Sequence, residues 1–151
     1  MKAAQKAGGD IRGKQSASLI VVRPRSNGNS WEDRLIDLRV DDHKEPIKEL
    51  DRLLKTFRAY EFMNQGDFFA EKNDMKAAME AYKSAMKLLP SNLEMQYWTA
   101  ITLANNKRVS EAAVLLQKIY AKDQNWRELT KRLAPSGLLT VTTKELQQLI
   151  K

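Results

Sequence analysis

The chain has 151 residues, 42% of them hydrophobic and 30% charged, with a formal net charge of +7. That length suits one ordinary domain or two small ones, and the composition is that of a water-soluble globular chain. The absence of cysteine and the single histidine, His43, exclude disulfides, a thiolate zinc site, a cysteine nucleophile and a multi-histidine metal site.

The longest apolar run, Leu19-Ile20-Val21-Val22, is strand-sized and far short of the roughly 20 residues that cross a bilayer as a helix. The lysines of Met1-Lys2-Ala3-Ala4-Gln5-Lys6-Ala7 have no apolar core behind them, so this is not a secretory signal. Together these features predict a cytoplasmic chain without a membrane segment. The positive charge is dispersed and interleaved with carboxylates, as in Glu71-Lys72-Asn73-Asp74. Dispersed charge is the pattern of a solvated surface and argues against nucleic acid as a partner.

In chain order, residues 2–7 suggest helical turns stopped by Gly8-Gly9. The loop Asp10-Ile11-Arg12-Gly13-Lys14 follows. Residues 16–23 predict a strand, and Asn27-Gly28 marks a turn within the connector from Pro24 to Arg34. Residues 35–41 predict a second strand, because Ile36, Leu38 and Val40 alternate with Asp37, Arg39 and Asp41. Leu19 to Val22 are apolar in succession, so both faces of the first strand call for cover. Two strands alone cannot supply it, and their open edges invite another chain. The hairpin is therefore expected to be completed by a second copy or by sequence outside this chain.

From Pro46 the period becomes helical. Ile47, Leu50, Leu53, Leu54 and Phe57 form one stripe. Further helices are predicted at about 74–89, 92–105, 109–122, 125–134 and 142–150. Capping boxes are expected at Ser91 with Glu94, Asn125 with Glu128, and Thr142 with Glu145.

Across residues 59–125 the helices carry an internal repeat. Phe62, Gln65, Gly66 and Phe69 stand where a W-x2-L-G-x2-Y pattern would place its residues. Ala78 and Tyr82 then fit A-x3-F, and Pro90 closes the unit. A shift of 34 residues brings Ala100 under Gly66, Leu103 under Phe69, Ala112 under Ala78 and Leu116 under Tyr82. The small positions let the two helices of a unit approach closely, and the large ones fill the space beside them. Gln65, Gln96 and Gln124 depart from the pattern. This is the tetratricopeptide signature, with the helices at 46–57 and 125–134 expected as end caps. Such arrays often bind an extended peptide on the face lined by first helices. Here that face is expected to present Tyr60, Met63, Asp67, Glu71, Tyr97, Ile101 and Asn105. Trp98 and Trp126, among apolar neighbours, are expected in the core.

Gly8-Gly9-Asp10-Ile11-Arg12-Gly13-Lys14-Gln15-Ser16-Ala17-Ser18 and Asp37-Leu38-Arg39-Val40-Asp41-Asp42-His43, followed by a helix from Glu45, resemble the C-terminal half of the bacterial and archaeal domain-of-unknown-function family 1028. The resemblance covers about residues 1–58 and implies an Ntn-hydrolase-like sandwich whose N-terminal half is not in this chain. Ntn hydrolases act through a freed N-terminal nucleophile, and Met1-Lys2 supplies none. Asp10, Arg12, Gln15, Ser16, Asp41, Asp42 and His43 are the residues a ligand or family site would draw on. Their plainer role is to fix turns and to cap the next helix. The glycines near Asp10 lack the Lys-Ser/Thr pattern of a phosphate loop.

The resulting expectation is a mainly α fold: a β-hairpin, half of an Ntn-type sandwich, followed by an α-α tetratricopeptide-like array. The expected domains are residues 1–58 and 59–151. The expected function is a non-catalytic protein–protein interaction or oligomerisation module, with no cofactor and no metal. Its partners would be a protein or peptide and a second copy through the hairpin. The alternative is a fragment of an Ntn-hydrolase-like amide hydrolase lacking its nucleophile half.

Overall fold

A computed structural model of the chain describes residues 16–22 and 34–151. The expected helical turns at 2–7, the glycine loop and the Asn27-Gly28 turn lie outside those residues. The fold is mainly α, with a two-stranded antiparallel hairpin followed by six helices among the described residues. It divides into two compact units between Phe57 and Arg58, inside the first helix.

In the first unit β1 (Ala17–Val22) pairs with β2 (Arg34–Val40). The register sets Ala17 opposite Val40, Leu19 opposite Leu38 and Val21 opposite Ile36. Directly opposed residues share a face, so these six apolar side chains form one side of the ribbon. The other side sets Ser18 against Arg39 and Ile20 against Asp37. Asp37 there accepts from Arg34 at 2.5 Å and Arg39 at 2.9 Å. Those guanidiniums, Arg39 foremost, hold its carboxyl below the usual carboxylate range. The alternation read in β2 is present: Ile36 and Leu38 are half-buried and Val40 is buried. The cover expected for β1 is not supplied, since Ile20 is 49% exposed.

α1 (Pro46–Glu71) is one helix of 26 residues. The stripe at 46–57 is thus not a separate capping helix. No proline or glycine interrupts Arg58-Ala59-Tyr60, and helix propagation is favourable once a turn exists. Pro46 and Leu50 are buried, while Arg52–Glu49 and Lys55–Asp51 pairs line the wet side.

In the second unit, α1 from Arg58 onward is followed by α2 (Met75–Leu88), α3 (Leu93–Asn105), α4 (Val109–Tyr120), α5 (Asn125–Leu133) and α6 (Thr143–Leu149). The repeat shows in the backbone. Asn73 and Lys107 both adopt the left-handed conformation, at φ 61° and 64°, where one helix ends and the next begins. Each turn makes the same pair of bonds. Asn73 N–H donates to Ala70 O and Asp74 N–H to Phe69 O; Lys107 N–H donates to Ala104 O and Arg108 N–H to Leu103 O. This is a Schellman closure, which satisfies carbonyls that a helix end leaves orphaned. Gly137 and Leu138 repeat it after α5, one helical turn earlier than the period predicts.

α5 and α6 pack on α4, and Trp126, Leu133, Leu139 and Leu149 join its core. A second 34-residue shift places Ala134 under Ala100 and Leu146 under Ala112. The first position keeps its small residue and the second does not, so α5 and α6 cover α4 without repeating the full unit.

Of the three expected capping boxes, Thr142 with Glu145 forms in full. At α3 the cap is Asn92, whose side chain accepts from Met95 N–H at 3.1 Å; it is one residue nearer the helix than Ser91 and caps as well. At α5 the Asp123 carboxylate takes the N–H of Asn125 at 2.9 Å.

Candidate interaction surfaces

The hairpin unit holds a shallow depression of about 500 Å³ lined by Ser16, Ala17, Ser18, Ile20, Arg39 and Asp41. It brings together Ser16 and Asp41 from the sequence-predicted site. Asp10, Arg12 and Gln15 lie outside the described residues. Asp42 and His43 do not line the depression. Asp42 takes a left-handed turn at φ 52°, and His43 Nδ1 accepts the N–H of Glu45 at 3.1 Å, just ahead of α1. Among the described residues no group of three His, Asp or Glu side chains is placed to hold a metal. Ser16 has no hydrogen-bonded base among them either, so nothing described there activates its hydroxyl.

The repeat unit holds a second surface, formed by α1 beyond Arg58 and by α3. Tyr60 O–H donates to Glu94 Oε2 at 3.0 Å, joining positions 34 residues apart on the two helices. Tyr82 reaches from α2 past Gly66, and its hydroxyl donates to Asp67 at 2.6 Å. Burial first, and that bond second, push the phenol well above its ordinary pKa.

The seven side chains expected on this face divide. Tyr60, Asp67 and Glu71 are exposed. Met63, Tyr97 and Ile101 are 7%, 0% and 3% exposed and belong to the core, so they cannot meet a peptide. Tyr97 is covered because α5 lies against it. Its ring is 4.7 Å from that of Trp126 and its hydroxyl 3.0 Å from Thr130 Oγ1. Burial raises its pKa to about 12, against the lowering hydrogen bond of Thr130. Asn105 is occupied within the chain: its amide donates to Leu138 O at 3.1 Å and accepts from Thr140 N–H at 2.8 Å.

Two exposed aromatics on this surface escaped sequence reasoning. Phe68 is 55% and Trp98 37% exposed. Its apolar neighbours predict a core position for Trp98, which the structure does not give it. The signal against that assignment was in the repeat itself, because Trp98 stands 34 residues after Asn64, a polar position of the first unit. Trp126 is half-buried in the core, as expected.

Residues 69–133 match the tetratricopeptide repeat. Residues 1–50 match the family of unknown function (DUF1028). The two occur in the order read from the sequence, and the repeat match runs from the end of α1 to the last residue of α5. No curated protein and no solved structure matches the chain. No described helix is long and apolar enough to cross a membrane.

Proposed function

We propose that this chain is a non-catalytic protein-interaction module that grips a partner on the α1–α3 surface of its repeat and self-associates through its hairpin in the cytoplasm. One observation carries the reading. Repeated helix pairs bury Tyr97 and Ile101 yet leave Tyr60, Phe68 and Trp98 turned to solvent on consecutive first helices. Exposed aromatics of this kind are the usual anchors of protein recognition.

Self-association is supported by the hairpin, where Ile20, Val21, Val22 and Leu35 are all exposed. A second copy would cover them and extend the sheet. Solution mass by light scattering tests this. The expected mass is that of a dimer or larger, shifted towards the monomer by Ile20→Lys with Leu35→Lys. A wild-type monomer at all accessible concentrations overturns it.

The match of residues 1–50 to a family of unknown function favours a second reading for the first unit. In it the hairpin is part of an Ntn-hydrolase-like sandwich completed by sequence encoded upstream of Met1. An in-frame half-sandwich there supports this reading, and its absence removes it.

A further inference from the structure

The chain as a whole is basic, at +7, but its charge is segregated in the repeat unit. From Arg58 to Lys72 and through α3 there are four carboxylates, Glu61, Asp67, Glu71 and Glu94, against two cations, Arg58 and Lys72. α2 has the opposite balance, with Lys76, Lys83 and Lys87 against Glu80.

Three of the four carboxylates share a face with the exposed aromatics. In α1, Tyr60, Asp67, Phe68 and Glu71 fall at helical spacing on one side. The 34-residue period gives Glu94 and Trp98 the corresponding side of α3, and the Tyr60–Glu94 bond joins the two.

Glu49, Asp51, Glu111 and Glu128 each hold a Lys or Arg three or four residues away. Asp67 and Glu94 instead accept tyrosine hydroxyls, at 2.6 and 3.0 Å. Neither they nor Glu71 form an ion pair with a described Lys or Arg. An ionised carboxylate has several acceptor positions, so each retains capacity for a cationic donor. The aromatic part of the face also accepts a cation, since Lys72 Nζ already lies 5.6 Å from the centre of the Phe68 ring.

We infer that the α1–α3 face takes a cationic segment of a partner protein, an extended stretch in which Lys or Arg alternates with apolar side chains. The inference rests on the interaction reading above and gives the partner its chemistry. Lys or Arg side chains meet Asp67, Glu71 and Glu94, and the apolar ones pack on Phe68 and Trp98. An acidic segment would face a net excess of like charge there.

Three labelled peptides with the same apolar residues test it, one with Lys, one with Glu and one with Ser at the alternate positions. Each is titrated into the full chain by fluorescence anisotropy. The Lys peptide is expected to bind most tightly, more weakly as salt rises. Glu71→Gln with Glu94→Gln is expected to cost it about fivefold or more, and Trp98→Ala to weaken it too, with helical circular dichroism unchanged in both variants. If the Ser or Glu peptide binds as well as the Lys peptide and Trp98→Ala still weakens it, the cationic inference falls and the interaction reading stands. If no peptide binds, both fall.

Discussion

The ring of Tyr82 occupies the space in which a side chain on Gly66 would begin. A Cβ there would lie 2.5 Å from Cδ1 and 2.8 Å from Cζ of that ring, inside any real contact. Gly66 is helical, so it is needed for close approach and not for its backbone freedom. The ring that fills this space carries the hydroxyl held by Asp67. Gly66→Ala is expected to destabilise the repeat unit by about 2 kcal/mol, through overpacking against a ring fixed on both sides. Chemical denaturation followed by circular dichroism measures it, and a neutral outcome contradicts the packing described.

Thr130 is a junction between helices. Its hydroxyl donates to Trp126 O at 2.9 Å and lies 2.8 Å and 3.0 Å from the hydroxyls of Tyr120 and Tyr97. Thr130→Val keeps the shape and leaves two buried phenols without an acceptor. The expected loss is about 2–3 kcal/mol. Thr130→Ser, which restores the hydroxyl, is expected to recover most of it. A loss in Thr130→Ser with none in Thr130→Val would place the effect in the methyl packing instead.

Lys107 is a non-glycine residue at φ 64° with its N–H already bonded to Ala104 O. A side chain there costs energy that glycine avoids. Lys107→Gly is expected to raise stability by about 0.5–1 kcal/mol, seen as a higher melting temperature. The gain would be absent if the turn were not left-handed in solution.

Alkali should open the core. Burial raises the phenols of Tyr82, Tyr97 and Tyr120 above their ordinary 10.0, that of Tyr97 to about 12. Below the ordinary value these groups are neutral in folded and unfolded chains alike, and their contribution is fully present. As pH rises from about 10 through about 12 the unfolded chain releases protons that the folded core retains, so stability is lost. Beyond the contribution of the exposed Tyr60, phenolate absorbance and circular dichroism recorded together should change in one step. Phenolate formed by these tyrosines in a still-helical protein would show that they are not buried as described.

Much of this was written in the sequence. The 34-residue pairing of Gly66 with Ala100 and of Ala78 with Ala112 located the repeat, because small residues at fixed spacing have few other causes. Strand and helix positions followed from period, and Thr142 with Glu145 from capping chemistry. Tyr97, Ile101 and Trp98 were not legible in the same way. Each sits on a helix whose exposure depends on what lies beside it, and sequence spacing cannot say whether a further helix covers that side.

By itself the sequence determined local matters: which residues are helical, where Pro, Gly and capping side chains end an element, and that two units of one repeat stand in register. Those properties depend on neighbours a few residues away, or on the period of the chain. The tertiary structure alone decided that α5 buries Tyr97, and that Tyr60, Phe68 and Trp98 stay in solvent beside carboxylates that pair with no described Lys or Arg. Burial and charge pairing belong to surfaces, and surfaces exist only once distant helices have met.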